Sequence, residues 1–172
     1  MPNWKEKLLN DPVGAVLIDN QDYSVNFIIS PSQWGRADIE PKIEWESVKF
    51  EPSNKSSIPA EPGLYAFVVR IPYLGLPSHG WVMYIGQAGD GDSSKTLRDR
   101  FGDYFFDKEH PRRPKIYWLL NAWDSHLEFY YAKLSSRKSE LVNLETELLG
   151  AFRPPFTDRT YPATYMSPSH AF

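Results

Sequence analysis

The chain has no cysteine, which excludes disulfides and thiolate metal sites and agrees with a cytoplasmic protein. No apolar run reaches membrane-spanning length, and Met1-Pro2-Asn3-Trp4-Lys5 lacks the apolar stretch of a signal peptide, so no membrane partner is expected. Histidine is sparse: His79, His110, His126 and His170 are scattered, and none pairs at metal-ligand spacing. A basic surplus is missing as well, because the formal net charge is −3. Nucleic-acid binders usually show the opposite sign. The deficit is local, however. Residues 1–58 hold 6 basic and 9 acidic side chains, whereas residues 59–159 hold 13 of each. A confined basic patch is expected, not a basic face.

What is present is a chain of 172 residues, 41% of them hydrophobic, which suits one packed domain with an extension. Three parts are expected: an accessory segment over residues 1–58, a core over 59–159 and an uncharged tail over 160–172. In the first part, residues 4–9 suit a short helix. The apolar runs at 13–18 and 25–29 suit short strands. Residues 43–50 alternate imperfectly, which predicts a half-buried strand at best. Residues 52–62, rich in Pro, Ser and Asn, read as a connection.

The core opens with two β-branched and aromatic runs, 64–71 and 81–85, joined by a Pro- and Gly-containing loop. They predict an antiparallel pair. A polar loop ending in helix-capping residues leads into a helix over 95–106, with Leu97, Phe101 and Tyr104 on one face. Residues 115–122 fit a helix or a strand. A third strand is expected over 127–134 and a long helix from there to Phe152, ended by Pro154-Pro155.

Four short motifs carry chemistry. Gly63-Leu64-Tyr65 lies on the first strand and Tyr84-Ile85-Gly86 on the second. Arg100 precedes Tyr104 by one helical turn, so both can reach one phosphate. Arg98 sits about 160° away on the same helix and is the decoy. On the last helix, Glu145 falls within the stripe of Leu141, Leu144, Leu148 and Phe152. A carboxylate on such a face must be paired, protonated or bound to a metal. Taken singly, each feature has an ordinary reading. A helix Glu most often makes a structural ion pair, a strand Tyr is half-buried with its hydroxyl satisfied, and surface arginines are solvated.

In this order, closed by Arg153-Pro154-Pro155-Phe156-Thr157, the motifs resemble those of the GIY-YIG nuclease family over residues 61–158. The resemblance implies an α+β fold with a small three-stranded antiparallel sheet flanked by helices, on which the N-terminal extension packs or to which it adds strands. It implies a DNA endonuclease, restriction- or defence-type, that hydrolyses phosphodiester bonds of duplex or branched DNA with one Mg²⁺ or Mn²⁺. Glu145 would hold the ion, Arg100 would stabilise the transition state, and Tyr84 and Tyr104 would hold the phosphate. Tyr65 would act at the attacking water, as general base or as its orienter. With an unperturbed pKa of about 10, a phenol is a poor base at neutral pH.

Two positions depart from the family pattern. Gln87 stands where many members have Lys, and Thr157 where many have Asn. Gln87 carries no charge, and Thr157 keeps only a hydroxyl to support the site. The expected contacts to phosphate or DNA are Gln87, Lys95, Arg112, Arg113 and Lys115. The last three form the densest basic patch, with Tyr117 and Trp118 beside it to stack on a base. The departures and the neutral core motivate an alternative: a nucleic-acid-binding or regulatory module that keeps the fold without the chemistry. Asp90 and Asp92 lack the other ligands of a calcium loop. The stretch from Gly86 to Gly91 lacks the Gly-Lys-Ser/Thr ending of a phosphate loop.

Overall fold

The computed structural model describes residues 4–8, 10, 43–70, 79–89, 94–134 and 138–157. The strands expected at 13–18 and 25–29, the acidic pair Asp90 and Asp92, and the 160–172 tail lie outside these residues. Helix α1 (Trp4–Leu8) is followed by strand β1 (Glu46–Lys49), a 3-10 turn (Pro52–Ser57) and strands β2 (Gly63–Arg70) and β3 (Gly80–Ala88). Helices α2 (Leu97–Glu109) and α3 (Pro114–Ala122), strand β4 (Leu127–Lys133) and helix α4 (Lys138–Phe152) complete the order. Residues 115–122, which fit a helix or a strand by sequence, are helical.

The fold is α+β. One antiparallel sheet runs in the order β1-β4-β2-β3, with helices on its faces. It has four strands, not the three expected. The fourth comes from the N-terminal segment, where β1 pairs with β4 from Glu46↔Tyr131 to Lys49↔Glu128. Its sequence alternation is weak because β1 is an edge strand, and only Val48 of its four residues is even half-buried. No described helix is long and apolar enough to cross a membrane.

Strand β2 is buried on both faces from Gly63 to Val69, which is why it reads as an unbroken apolar run. Tyr65, Phe67 and Val69 face a core shared with Leu97, Phe101 and Tyr104 of α2 and with Ile116 to Leu120 of α3. Leu8, Phe50 and Ile58 from the first 58 residues lie in this same core. Phe50 stacks on Phe105 at 4.4 Å and meets Phe67 edge-on at 5.1 Å. Leu64, Ala66 and Val68 face the opposite way, onto Leu141, Leu144 and Leu148 of α4.

The β2–β3 register shifts once. Phe67 pairs with Tyr84, but Val68 pairs with Val82, so Met83 is the extra residue of a β-bulge. Were Met83 paired with Phe67 in a regular ladder, Tyr84 would lie opposite Ala66, on the α4 face. The bulge turns Tyr84 to the face that holds Tyr65, a common use of bulges beside functional sites.

Helix α2 starts later than expected, at Leu97. Its cap is Thr96, whose hydroxyl accepts from the Asp99 N–H at 3.2 Å while Asp99 accepts from the Thr96 N–H at 2.9 Å. Helix α4 ends at Arg153, which takes the left-handed conformation at φ 44°. The chain then turns back, and the Phe156 N–H donates to the Met83 carbonyl at 3.0 Å. The Phe156 ring stacks on Trp118 at 5.4 Å. The RPPF segment thereby ties the end of α4 to β3 and α3.

Candidate active site

A cleft of about 1040 Å³ opens where β3 meets α2 and α4. Since β3 is an edge strand, side chains from both faces of the sheet reach it. Tyr65, Tyr84, Arg100 and Tyr104 line it from one side, and Gln87, Glu145 and Thr157 line it as well. Lys95, Arg112 and Arg113 are on its wall too, whereas Lys115 is not.

The two glycines of the tripeptides have packing reasons. A Cβ on Gly86 would sit 2.6 Å from the Tyr65 ring, which lies across that residue in the register. A Cβ on Gly63 would sit 2.1 Å from the Ala132 carbonyl oxygen. Glycine at 86 therefore lets Tyr65 lie over β3 and bring its hydroxyl to 3.0 Å from that of Tyr104. The Tyr84 ring lies 6.2 Å from Tyr65 and 6.1 Å from Tyr104. Three phenols thus form one cluster at the floor of the cleft.

Burial pushes the Tyr65 phenol far above its ordinary range, and Tyr84 adds to the rise. The Tyr104 hydrogen bond and the Arg100 charge offset only part of it. Tyr104 is raised as well, first by burial and then by Tyr65 and Tyr84. Both hydroxyls are therefore protonated at neutral pH and act as hydrogen-bonding groups, not as bases.

Arg100 is half-buried, and its Nε has no hydrogen-bond partner among the described residues. Arg98 is half-buried, not a free surface group: its Nε donates to the Ile58 carbonyl at 2.7 Å and fastens the 3-10 segment to α2. Asp107, one turn beyond Tyr104, is buried and holds two cations. Arg113 donates to Asp107 Oδ2, and Arg112 lies 3.7 Å from Oδ1. The Arg113 guanidinium also lies over the Tyr104 ring at 5.0 Å. Burial works against its charge, but Tyr104 and then Asp107 outweigh burial and hold it more firmly protonated than usual. Lys95 is paired with Asp103 at 2.5 Å.

Sequence reasoning missed three residues here. Asp107 is on the Arg100–Tyr104 face of α2, and its i+3 spacing from Tyr104 could have found it. Lys55 lines the cleft from the 3-10 segment, over Gly102, where a Cβ would meet its ammonium at 2.7 Å. No sequence signal announces that approach. Phe106, which is 45% exposed, lines the cleft as well. Tyr117 and Trp118, expected to stack on a base, are instead buried in the core. An aromatic pair at the start of an apolar helix points inward.

Among the described residues no three His, Asp or Glu side chains cluster as a metal cage. A hard cation such as Mg²⁺ does not need one, since it keeps several waters and uses one or two carboxylates plus substrate phosphate oxygens. The cleft offers the Glu145 carboxylate, 3% exposed, and two buried neutral oxygens, Gln87 Oε1 and Thr157 Oγ1. Neither neutral oxygen has a hydrogen-bond partner among the described residues. This donor set fits a single oxygen-ligated divalent ion. No protein-family model, curated protein or solved structure matches the chain.

Proposed function

We propose that this chain is a metal-dependent DNA endonuclease of the GIY-YIG type, acting in the cytoplasm in restriction or defence. The carrying observation is that Tyr65, Tyr84, Arg100, Tyr104 and Glu145, drawn from two strands and two helices, line one cleft. Glu145, in a cleft that Gln87 and Thr157 also line, would hold Mg²⁺ or Mn²⁺. When bound, that ion polarises a phosphoryl oxygen and neutralises charge. The chain's own groups do the rest. Arg100 donates to the phosphate oxygens and stabilises the charge that grows on them in the transition state. Tyr65 and Tyr104, both protonated, orient the attacking water and the phosphate through their shared hydrogen bond. Of the two roles open to Tyr65, water orientation is the one its burial favours. The water oxygen bonds to phosphorus, the opposite bond to the sugar oxygen breaks, and a water proton ends on that leaving oxygen.

A second reading, a nucleic-acid-binding module without chemistry, is favoured by one observation. Position 87, on the cleft wall directly after the second tripeptide, is an uncharged Gln that can neither act as a base nor carry charge. Plasmid incubated with Mg²⁺ or Mn²⁺ separates the two. Nicking by the parent that falls about 10²–10³-fold in Glu145→Gln supports the nuclease. DNA retained in a gel shift without cleavage under either ion supports the module.

A further inference from the structure

The far end of α2 carries a stack that the reaction above does not use. Phe106 and His110 lie parallel, with ring centroids 4.0 Å apart and 11° between planes. The Arg112 guanidinium lies over the Phe106 ring at 4.3 Å. His110 is fixed further by its Nδ1, 3.0 Å from the Phe106 carbonyl oxygen. Phe106 is the one exposed large hydrophobic side chain among the described residues, and it lines the cleft. The Arg112 side chain is 68% exposed and lines the cleft with it, 3.7 Å from Asp107.

Three stacked flat groups, of which Phe106 and Arg112 line the cleft, form a surface for another flat group. A paired base inside a duplex shows a protein only its edges. A face becomes available only when the base is unpaired or at an end. Phe106 follows Arg100 by six positions, about 9 Å along the helix axis, which keeps a stacked base within a few nucleotides of the phosphate at Arg100. Between them Lys55, over Gly102, has no ion-pair partner among the described residues and lines the connecting rim. A backbone contact next to an aromatic platform is the arrangement used for single strands.

We propose that the Phe106–His110–Arg112 stack binds an unpaired nucleobase next to the scissile phosphate, so the preferred substrate is DNA with a single-stranded branch or flap, not uninterrupted duplex. This rests on the nuclease reading. The test uses a flapped duplex carrying 2-aminopurine at the first unpaired position and a dye on the far end, in EDTA so that nothing is cut. Parent protein is expected to change the 2-aminopurine fluorescence on binding. Phe106→Ala should abolish that change and weaken flap binding about tenfold, within the range for loss of one stacking aromatic. Phe106→Trp should retain both, and binding of fully paired duplex should be the same in all three. An unchanged signal in Phe106→Ala, or equal weakening on flap and duplex, overturns the platform. If the parent nicks plasmid with Mg²⁺ yet leaves 2-aminopurine unperturbed, only the platform falls. If it binds no DNA at low salt, the nuclease reading falls with it.

Discussion

The hydroxyls of Tyr65 and Tyr104 meet at 3.0 Å across the gap between β2 and α2, and both side chains are buried. Each phenol is raised above its ordinary value, chiefly by burial. A raised folded value means the native state keeps its proton while the unfolded chain loses one near pH 10. The stability this contributes is complete below about pH 10 and is lost as pH climbs further toward the folded values. Urea unfolding between pH 8 and 11 is expected to show that decline. The Tyr65→Phe, Tyr104→Phe double variant should flatten it in part, since burial also raises Tyr117 and Tyr131. An equally steep decline in the double variant would count against the assignment.

Catalysis should not depend on a Tyr65 phenolate. The pH–rate profile of the parent is expected to show no inflection from Tyr65 between pH 6 and 9. Tyr65→Phe should lower kcat at every pH in that window without moving its limbs. A limb that vanishes in Tyr65→Phe would restore the phenol as the base.

Arg100 is expected to tolerate no substitute. Arg100→Lys keeps the charge but loses the planar fork that can grip two phosphate oxygens. Its single-turnover rate should fall about 10²-fold, nearly as far as that of Arg100→Ala, while binding in EDTA changes far less. A lysine variant near parental rate would reduce Arg100 to a general charge.

Two glycines predict opposite outcomes for one added methyl group. In Gly86→Ala the Cβ meets a buried ring at 2.6 Å, so overpacking should cost about 1–3 kcal/mol and displace Tyr65. In Gly102→Ala the Cβ meets only the flexible end of Lys55, and helix propensity gains up to about 1 kcal/mol. The second variant should be as stable as the parent or more so, with weaker DNA binding because Lys55 is moved aside. Chemical denaturation with a parallel anisotropy titration reads both.

Asp107 should be worth more than its position suggests. Asp107→Asn leaves Arg113 over Tyr104 without its buried anion. The expected loss is about 1–3 kcal/mol, kept moderate because both arginines are partly in solvent. Urea midpoints for the Asp107→Asn and Arg113→Gln variants and their double variant would measure the coupling.

The sequence made the central strands and the last helix plain because they are strongly patterned. Strand β2 is covered on both faces, and Glu145 stands out on α4 only because leucines surround it. Less was legible where position depends on a partner. β1 has little to bury, so its place beside β4 is a tertiary fact. The Met83 bulge is a property of two strands together and leaves no mark on either. Lys55 reaches the cleft because a helix forty residues on happens to lack a side chain at Gly102. The aromatic residues after Arg113 showed the cost of reading a patch by adjacency. Tyr117 and Trp118 are neighbours of the arginines in the chain and face the other way in space.

The extra residue at Met83 also sets a counting rule for change in this protein. Residues can be gained or lost between the two sheet strands, ahead of Trp81, without altering which way any later side chain points. Losing Met83 itself would only close the bulge and leave Tyr84 opposite Phe67, whereas losing Ile85 would swap odd for even and bring Gln87 opposite Tyr65, on the side of the phenols. Deletion scanning across 79–86 should accordingly find activity falling off a step rather than a slope.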